Sequence, residues 1–131
     1  MIKGIGIDIV NIDRLRKIIS IWEEKFEKRI FTPQEINCQK RRNGRVKPIQ
    51  LGGRFAAKEA VFKSLGVNTS WQDVQILSTK EGKPYVILGG KIKKIAKEKE
   101  IKLVLVTISH DTSYAIAEAV ATGEDNEISN C

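Results

Sequence analysis

Cysteine is almost absent, with Cys38 and Cys131 the only two among 131 residues. They can form neither a disulfide framework nor a metal-ligand pattern. Aromatic residues make up 6% of the chain and none interrupts its most basic stretch, so the stacking platform of a single-strand binder is missing. No run approaches the roughly 18 apolar residues of a membrane span. Met1-Ile2-Lys3-Gly4 starts a strand pattern where a secretory leader needs an apolar stretch. The expectation is a cytoplasmic protein with no membrane and no nucleic-acid partner. Gly4-Ile5-Gly6 is not a dinucleotide fingerprint, because position 9 is Ile and G-x-G-x-x-G is not completed. No internal repeat with a fixed period is present.

Hydrophobic residues at 41% and charged residues at 30% describe an ordinary globular chain of a length that suits one domain. We place that domain at residues 1–122, followed by a polar tail at 123–131. Net charge is +7 and unevenly spread. Lys40, Arg41, Arg42, Arg45 and Lys47 sit together with no acid between Gln39 and Gln50. Such a cluster suits nucleic acid, an acidic protein or an anionic small molecule. A basic nucleic-acid-binding domain without catalysis is therefore the alternative to any enzymatic reading.

From Lys3 to Val10 isoleucines alternate with Gly4, Gly6 and Asp8, which predicts a strand with one nearly bare face. Glycines there admit another backbone or a ligand, and a carboxylate at the end of a buried strand needs a cation or hydrogen bonds. Asp8 as a simple cap for the next turn or helix is the plainer reading. Asn11 caps a helix carrying Ile12, Leu15, Ile18, Ile19 and Trp22, a pattern that Phe26 and Ile30 continue. Thr32-Pro33-Gln34-Glu35 is a capping box for a helix running to about Arg42. The segment 43–48 reads as a loop, and a central helix then rises to a C′ glycine at Gly66.

The second half predicts a hairpin of residues 74–77 and 85–88, then a charged helix at 91–100. A buried strand at 103–108 ends in Ser109-His110, and an antiparallel return strand covers 114–122. The expected fold class is α+β, a mainly antiparallel sheet packed against a long central helix and shorter helices. On that helix Phe55 and Phe62 share a stripe, while Glu59 and Lys63 stand at i and i+4. Such a pair is often mere helix support, worth a few tenths of a kcal/mol.

Ile5-Gly6-Ile7-Asp8 together with the helix Phe55-Ala56-Ala57-Lys58-Glu59-Ala60-Val61-Phe62-Lys63, with Asp8 and Glu59 51 positions apart, resembles the paired signature of the 4′-phosphopantetheinyl transferases. More narrowly, the chain resembles the holo-acyl-carrier-protein synthases, the small single-domain class. The Gly82-Lys83-Pro84 turn and Ser109-His110 also fall where that family has them. Larger members carry D-x-E in the first motif, whereas the third position here is Val10.

The resemblance implies transfer of phosphopantetheine from coenzyme A to a serine of apo-acyl carrier protein, with 3′,5′-ADP leaving, for fatty acid biosynthesis. It implies magnesium held by Asp8 and Glu59, with Lys63 on the same phosphates as a third catalytic residue. A hard cation that keeps several waters suits one or two carboxylates plus substrate phosphates. The serine proton goes either to Glu59 or to a metal-bound water. Coenzyme A contacts are implied at Arg54, Lys63, Gly66, Gly82, Pro84, Ser109 and His110. The family's small enzymes are homotrimers with sites between subunits, so a homotrimer is expected. Carrier proteins are acidic, which makes the basic flank of Arg14, Lys17, Lys25 and Lys28 the expected docking surface.

Overall fold

The alternation after Lys3 forms strand β1 (Ile2–Asn11) in the computed structural model, which describes residues 1–43 and 48–124. Asn11 caps helix α1 (Ile12–Trp22) by accepting from the Arg14 amide at 3.1 Å. The apolar pattern that runs on through Phe26 and Ile30 is broken at Glu23, whose φ is 50°. A separate helix, α2 (Glu24–Ile30), follows. Next comes the capping box: Thr32 N–H donates to Glu35 Oε1 at 2.9 Å, and the Glu35 amide donates to Thr32 Oγ1 at 3.1 Å. It opens α3 (Pro33–Asn43).

The central helix, α4 (Pro48–Leu65), ends at Gly66 with φ 71°. Amides of Gly66 and Val67 bond back to the Lys63 and Phe62 carbonyls at 3.2 and 3.3 Å, the paired bonds of a left-handed glycine cap. The hairpin β2 (Val74–Ser78) and β3 (Pro84–Leu88) follows, then α5 (Gly90–Glu98), β4 (Leu103–His110) and β5 (Tyr114–Thr122). β5 lies between β1 and β4, antiparallel to both. Residues 114–122 are thus the expected return strand despite their alanines. The Asp111 carboxylate tightens the turn before them, accepting from the Ser113 and Tyr114 amides at 2.8 and 2.7 Å.

Which face of this sheet is covered is set by the glycines. A Cβ at Gly4 would land on the Ser64 carbonyl oxygen and one at Gly6 on the Ala60 carbonyl oxygen, so α4 rests its backbone on β1. Small side chains continue that seat across β5, where Ala115, Ala117, Ala119 and Ala121 are all buried. The isoleucines face the other way: Ile5, Ile7 and Ile9 are 67%, 58% and 60% exposed. The strand read as buried at 103–108 is likewise one-sided. Val104 is buried and Leu105 is 49% exposed, because only one face of β4 meets the helix.

Two apolar clusters meet at α4. One joins Ala56, Ala60, Val61 and Phe62 to the hairpin, α5 and the sheet; the other joins Leu51 to Leu15, Ile30 and Phe31. Burying a side chain such as Phe62 contributes about 1.5–3 kcal/mol. Trp71 bridges the clusters, its ring 5.0 Å from Phe55 and 5.5 Å from Phe62 between centroids.

Candidate active site

Asp8 sits on the glycine face of β1, and the close approach that Gly6 permits brings it to α4. The Lys63 ammonium crosses the gap, donating to the Ile7 carbonyl at 2.8 Å and to Asp8 Oδ1 at 3.1 Å. The salt bridge formed by Lys63 is therefore to the strand rather than helix support at i and i+4. Glu59, one turn earlier on the same helix, has its carboxyl raised above the ordinary range. Burial is the larger cause and the Asp8 charge the second, with Lys63 opposing both. Two carboxylates from different elements thus face one another, and an ammonium stands with them.

That donor set suits a hard divalent cation. Oxygen ligands from one or two carboxylates are what magnesium takes from a protein, leaving room for waters and phosphates. Mutual repulsion of the two carboxylates is relieved by a cation. No cluster of three or more His, Cys, Asp or Glu side chains suited to a metal occurs among the described residues. A cation here would find two protein carboxylates, Asp8 and Glu59.

A cavity of about 240 Å³ opens beside the pair, lined by Asp8 and Glu59 together with Arg14, Ile18, Phe26 and Phe55. It adjoins a second of about 470 Å³ that shares Ile18, Phe26 and Phe55 and adds Trp22, Lys25, Arg29 and Trp71. One groove therefore leads from the carboxylates along α1 and α2, apolar on its floor and basic at its edge. Of the expected basic flank, Arg14 and Lys25 line it, whereas Lys28 pairs with Glu24 at 3.6 Å and exposed Lys17 is not among the lining residues. Arg29 lines it too and was missed by sequence reasoning; its spacing from Lys25 was the available signal.

The other expected contacts do not gather at Asp8 within one chain. Arg54 donates to Ser78 Oγ at 2.6 Å, beside the hairpin; with the Gln39 amide turned so that its oxygen faces the guanidinium, that oxygen accepts from it at 2.7 and 2.9 Å. Gly82, at φ 90°, and Pro84 belong to that hairpin, while Gly66 serves the end of α4. Ser109 and His110 close β4 on opposite faces. His110 pairs across β5 with Ala115 and Val10 on the helix side, and Ser109 with Ile116 and Ile9 on the open side. Side chains of the basic run 40–47 and the tail from 125 onward lie outside the described residues.

Residues 4–119 match the 4′-phosphopantetheinyl transferase superfamily. A holo-[acyl-carrier-protein] synthase of Alkaliphilus oremlandii is 44% identical over 124 residues, covering 92% of this chain and 99% of its own. The chain belongs to this superfamily, in its holo-acyl-carrier-protein synthase family. Its fold matches the crystal structure of holo-ACP-synthase from Plasmodium yoelii with a TM-score of 0.84 at 36% identity, covering 95% of this chain and 98% of that one. The Helicobacter pylori holo-[acyl-carrier-protein] synthase in complex with coenzyme A matches at 0.78 and 34%, covering 90% and 99%.

Proposed function

We propose that this chain transfers 4′-phosphopantetheine from coenzyme A to a serine hydroxyl of apo-acyl carrier protein, releasing 3′,5′-ADP. The observation that carries the reading is the juxtaposition of Asp8, Glu59 and Lys63 at the head of a groove with a basic edge. Asp8 and Glu59 would hold magnesium, whose charge would neutralise the pyrophosphate. Lys63 leaves Asp8 for the phosphate oxygens, since its ammonium is half exposed and carries mobile donors. The serine oxygen forms a bond to the phosphorus that bears pantetheine, and the bond from that phosphorus to the leaving 3′,5′-ADP breaks. Glu59, which lines the cavity beside Asp8, would accept the serine proton.

Arg14, Lys25 and Arg29 hold the acidic carrier over the groove while its serine reaches the carboxylates. Arg54, Gly82, Pro84, Ser109 and His110 contact coenzyme A from a neighbouring subunit. Support for a homotrimer with such shared sites comes from the open sheet face. Ile5, Ile7, Ile9, Leu105 and Ile116 are all exposed on that face, apolar surface of the kind that subunits bury. The holo carrier serves fatty acid biosynthesis in the cytoplasm; no described helix is long and apolar enough to cross a membrane.

Mass spectrometry of apo-acyl carrier protein incubated with this protein, coenzyme A and magnesium tests the reading. Addition of one phosphopantetheine, dependent on magnesium, is expected. An unmodified carrier at high enzyme concentration overturns it, and salt-sensitive RNA binding without coenzyme A binding favours the nucleic-acid alternative.

A further inference from the structure

A groove larger than either cavity beside Asp8 lies at the end of the sheet where β1 and β4 begin. Its volume is about 850 Å³, within the range of a real binding site. Val86, Ile101 and Val104 form an apolar floor, and Lys3, Lys93 and Lys97 form a cationic edge. Lys93 and Lys97 are one turn apart on α5 and so share a face. One carboxylate stands among them, Glu100, at 3.9 Å from Lys3. The mechanism uses none of these residues. An open apolar floor edged with lysines selects an acidic segment that carries an apolar side chain.

The chain itself supplies such a segment. Gly123 lines the groove, and the next residue, Glu124, accepts from the Met1 ammonium at 2.6 Å, Met1 being another lining residue. Glu124-Asp125-Asn126-Glu127-Ile128 then offers three carboxylates and one large apolar side chain. Five residues span at most about 17 Å, so the chain length lets Ile128 reach the floor from Gly123. Tethering raises its effective concentration to roughly millimolar, which lets weak contacts suffice. The match to the superfamily ends at residue 119, so this segment lies beyond the part shared with it.

We propose that this groove is the docking surface for the chain's own acidic segment, with Asp125 and Glu127 against Lys93 and Lys97 and Ile128 on the apolar floor. The test uses the full chain with Cys38→Ser and a nitroxide on Cys131. Selective broadening of the Val86, Lys97 and Ile101 amide resonances is expected. It should be lost in Lys93→Glu/Lys97→Glu and restored when Asp125→Lys/Glu127→Lys is added. All four positions are tested as a charge swap, so a folding defect cannot imitate rescue. Absence of broadening at the groove, or broadening indifferent to charge reversal, overturns the proposal. So does dodecanoate binding equally well to the Asp125→Lys/Glu127→Lys variant and to its parent, which marks a groove open to free acyl anions.

Discussion

Lys58 Nζ stands 2.7 Å from Glu35 Oε1, and neither side chain is reached by solvent. The ammonium also donates to the Trp71 and Val74 carbonyls at 3.0 and 2.6 Å and lies 5.3 Å from the Phe31 ring centre. Glu35 accepts in turn from the Ile76 amide at 3.0 Å. One buried ion pair thus ties α3, α4 and β2 together beside Glu59. Desolvation pushes the Lys58 pKa down, and the Glu35 charge opposes that shift.

Breaking this pair from one side should be severe. Lys58→Met leaves a carboxylate buried without its cation, at a cost of about 3–5 kcal/mol. Glu35→Gln in the same chain removes the stranded charge yet still accepts backbone hydrogen bonds, so the double variant should regain part of the loss. Urea denaturation measures both. A single Lys58→Met variant within about 1 kcal/mol of the parent would show that the pair is not needed.

Gly6→Ala tests the seat of α4. The new methyl would meet the Ala60 carbonyl oxygen and, at 2.8 Å, Lys63 Cβ. Helix and strand must part, which costs about 1–3 kcal/mol or more and separates Asp8 from Glu59. We expect a lower melting temperature and a transfer defect larger than the loss of folded protein explains. Parental activity in the folded fraction would mean that the site tolerates the shift.

Asp8→Asn and Glu59→Gln each keep shape and remove one charge from the proposed metal site. Both variants should fold and neither should load the carrier at ordinary magnesium. Circular dichroism reports the fold, and mass spectrometry reports transfer. Normal turnover by either folded variant removes that residue from the site.

Lys63→Ala takes away the proposed phosphate partner and frees Asp8 from its ion pair. Loss of an interaction made more strongly in the transition state lowers kcat along with kcat/KM. A fall of about ten- to a thousandfold is expected, corresponding to about 1.4–4 kcal/mol. An unchanged kcat would reduce Lys63 to a structural bridge between β1 and α4.

Local chemistry was legible in the sequence because its partners lie close along the chain. The Thr32 and Glu35 capping box, the Asn11 cap and the Gly66 terminus each need only three or four neighbouring residues. Alternation in β1 showed two faces but not which one α4 covers, since Ile5, Ile7 and Ile9 look like core until another element is placed. The bare glycine face carried the answer: Cβ atoms are absent where a backbone arrives. Lys58 was hidden for a different reason. Its partner is 23 residues away, and a lysine in a motif with Glu59 invites a role in solvent. Arg29 stands one turn beyond Lys25 on α2, a spacing visible in the sequence, but that it lines the same groove depends on Trp71, which lies 42 residues further along the chain.

The carrier surface gives the last prediction, because the structure separates cations that spacing alone had grouped. Arg14, Lys25 and Arg29 line the groove from the carboxylates, whereas Lys17 on the same helix as Arg14 is not among the lining residues. A docked acidic carrier feels the first three at close range and Lys17 mainly through solvent, where charges beyond roughly 8 Å are largely screened at 0.15 M salt. Arg14→Glu and Arg29→Glu should therefore raise the apparent KM for apo-acyl carrier protein about tenfold or more at low salt, equivalent to about 1.4 kcal/mol. Lys17→Glu should change it much less. The KM for coenzyme A should hold in all three variants, and added salt should narrow the gap between each variant and the parent. Paired titrations of carrier and coenzyme A at two salt concentrations measure this. Equal carrier KM values for Arg14→Glu, Arg29→Glu and the parent at low salt would move the docking surface off this groove, toward the basic run from Lys40 to Lys47.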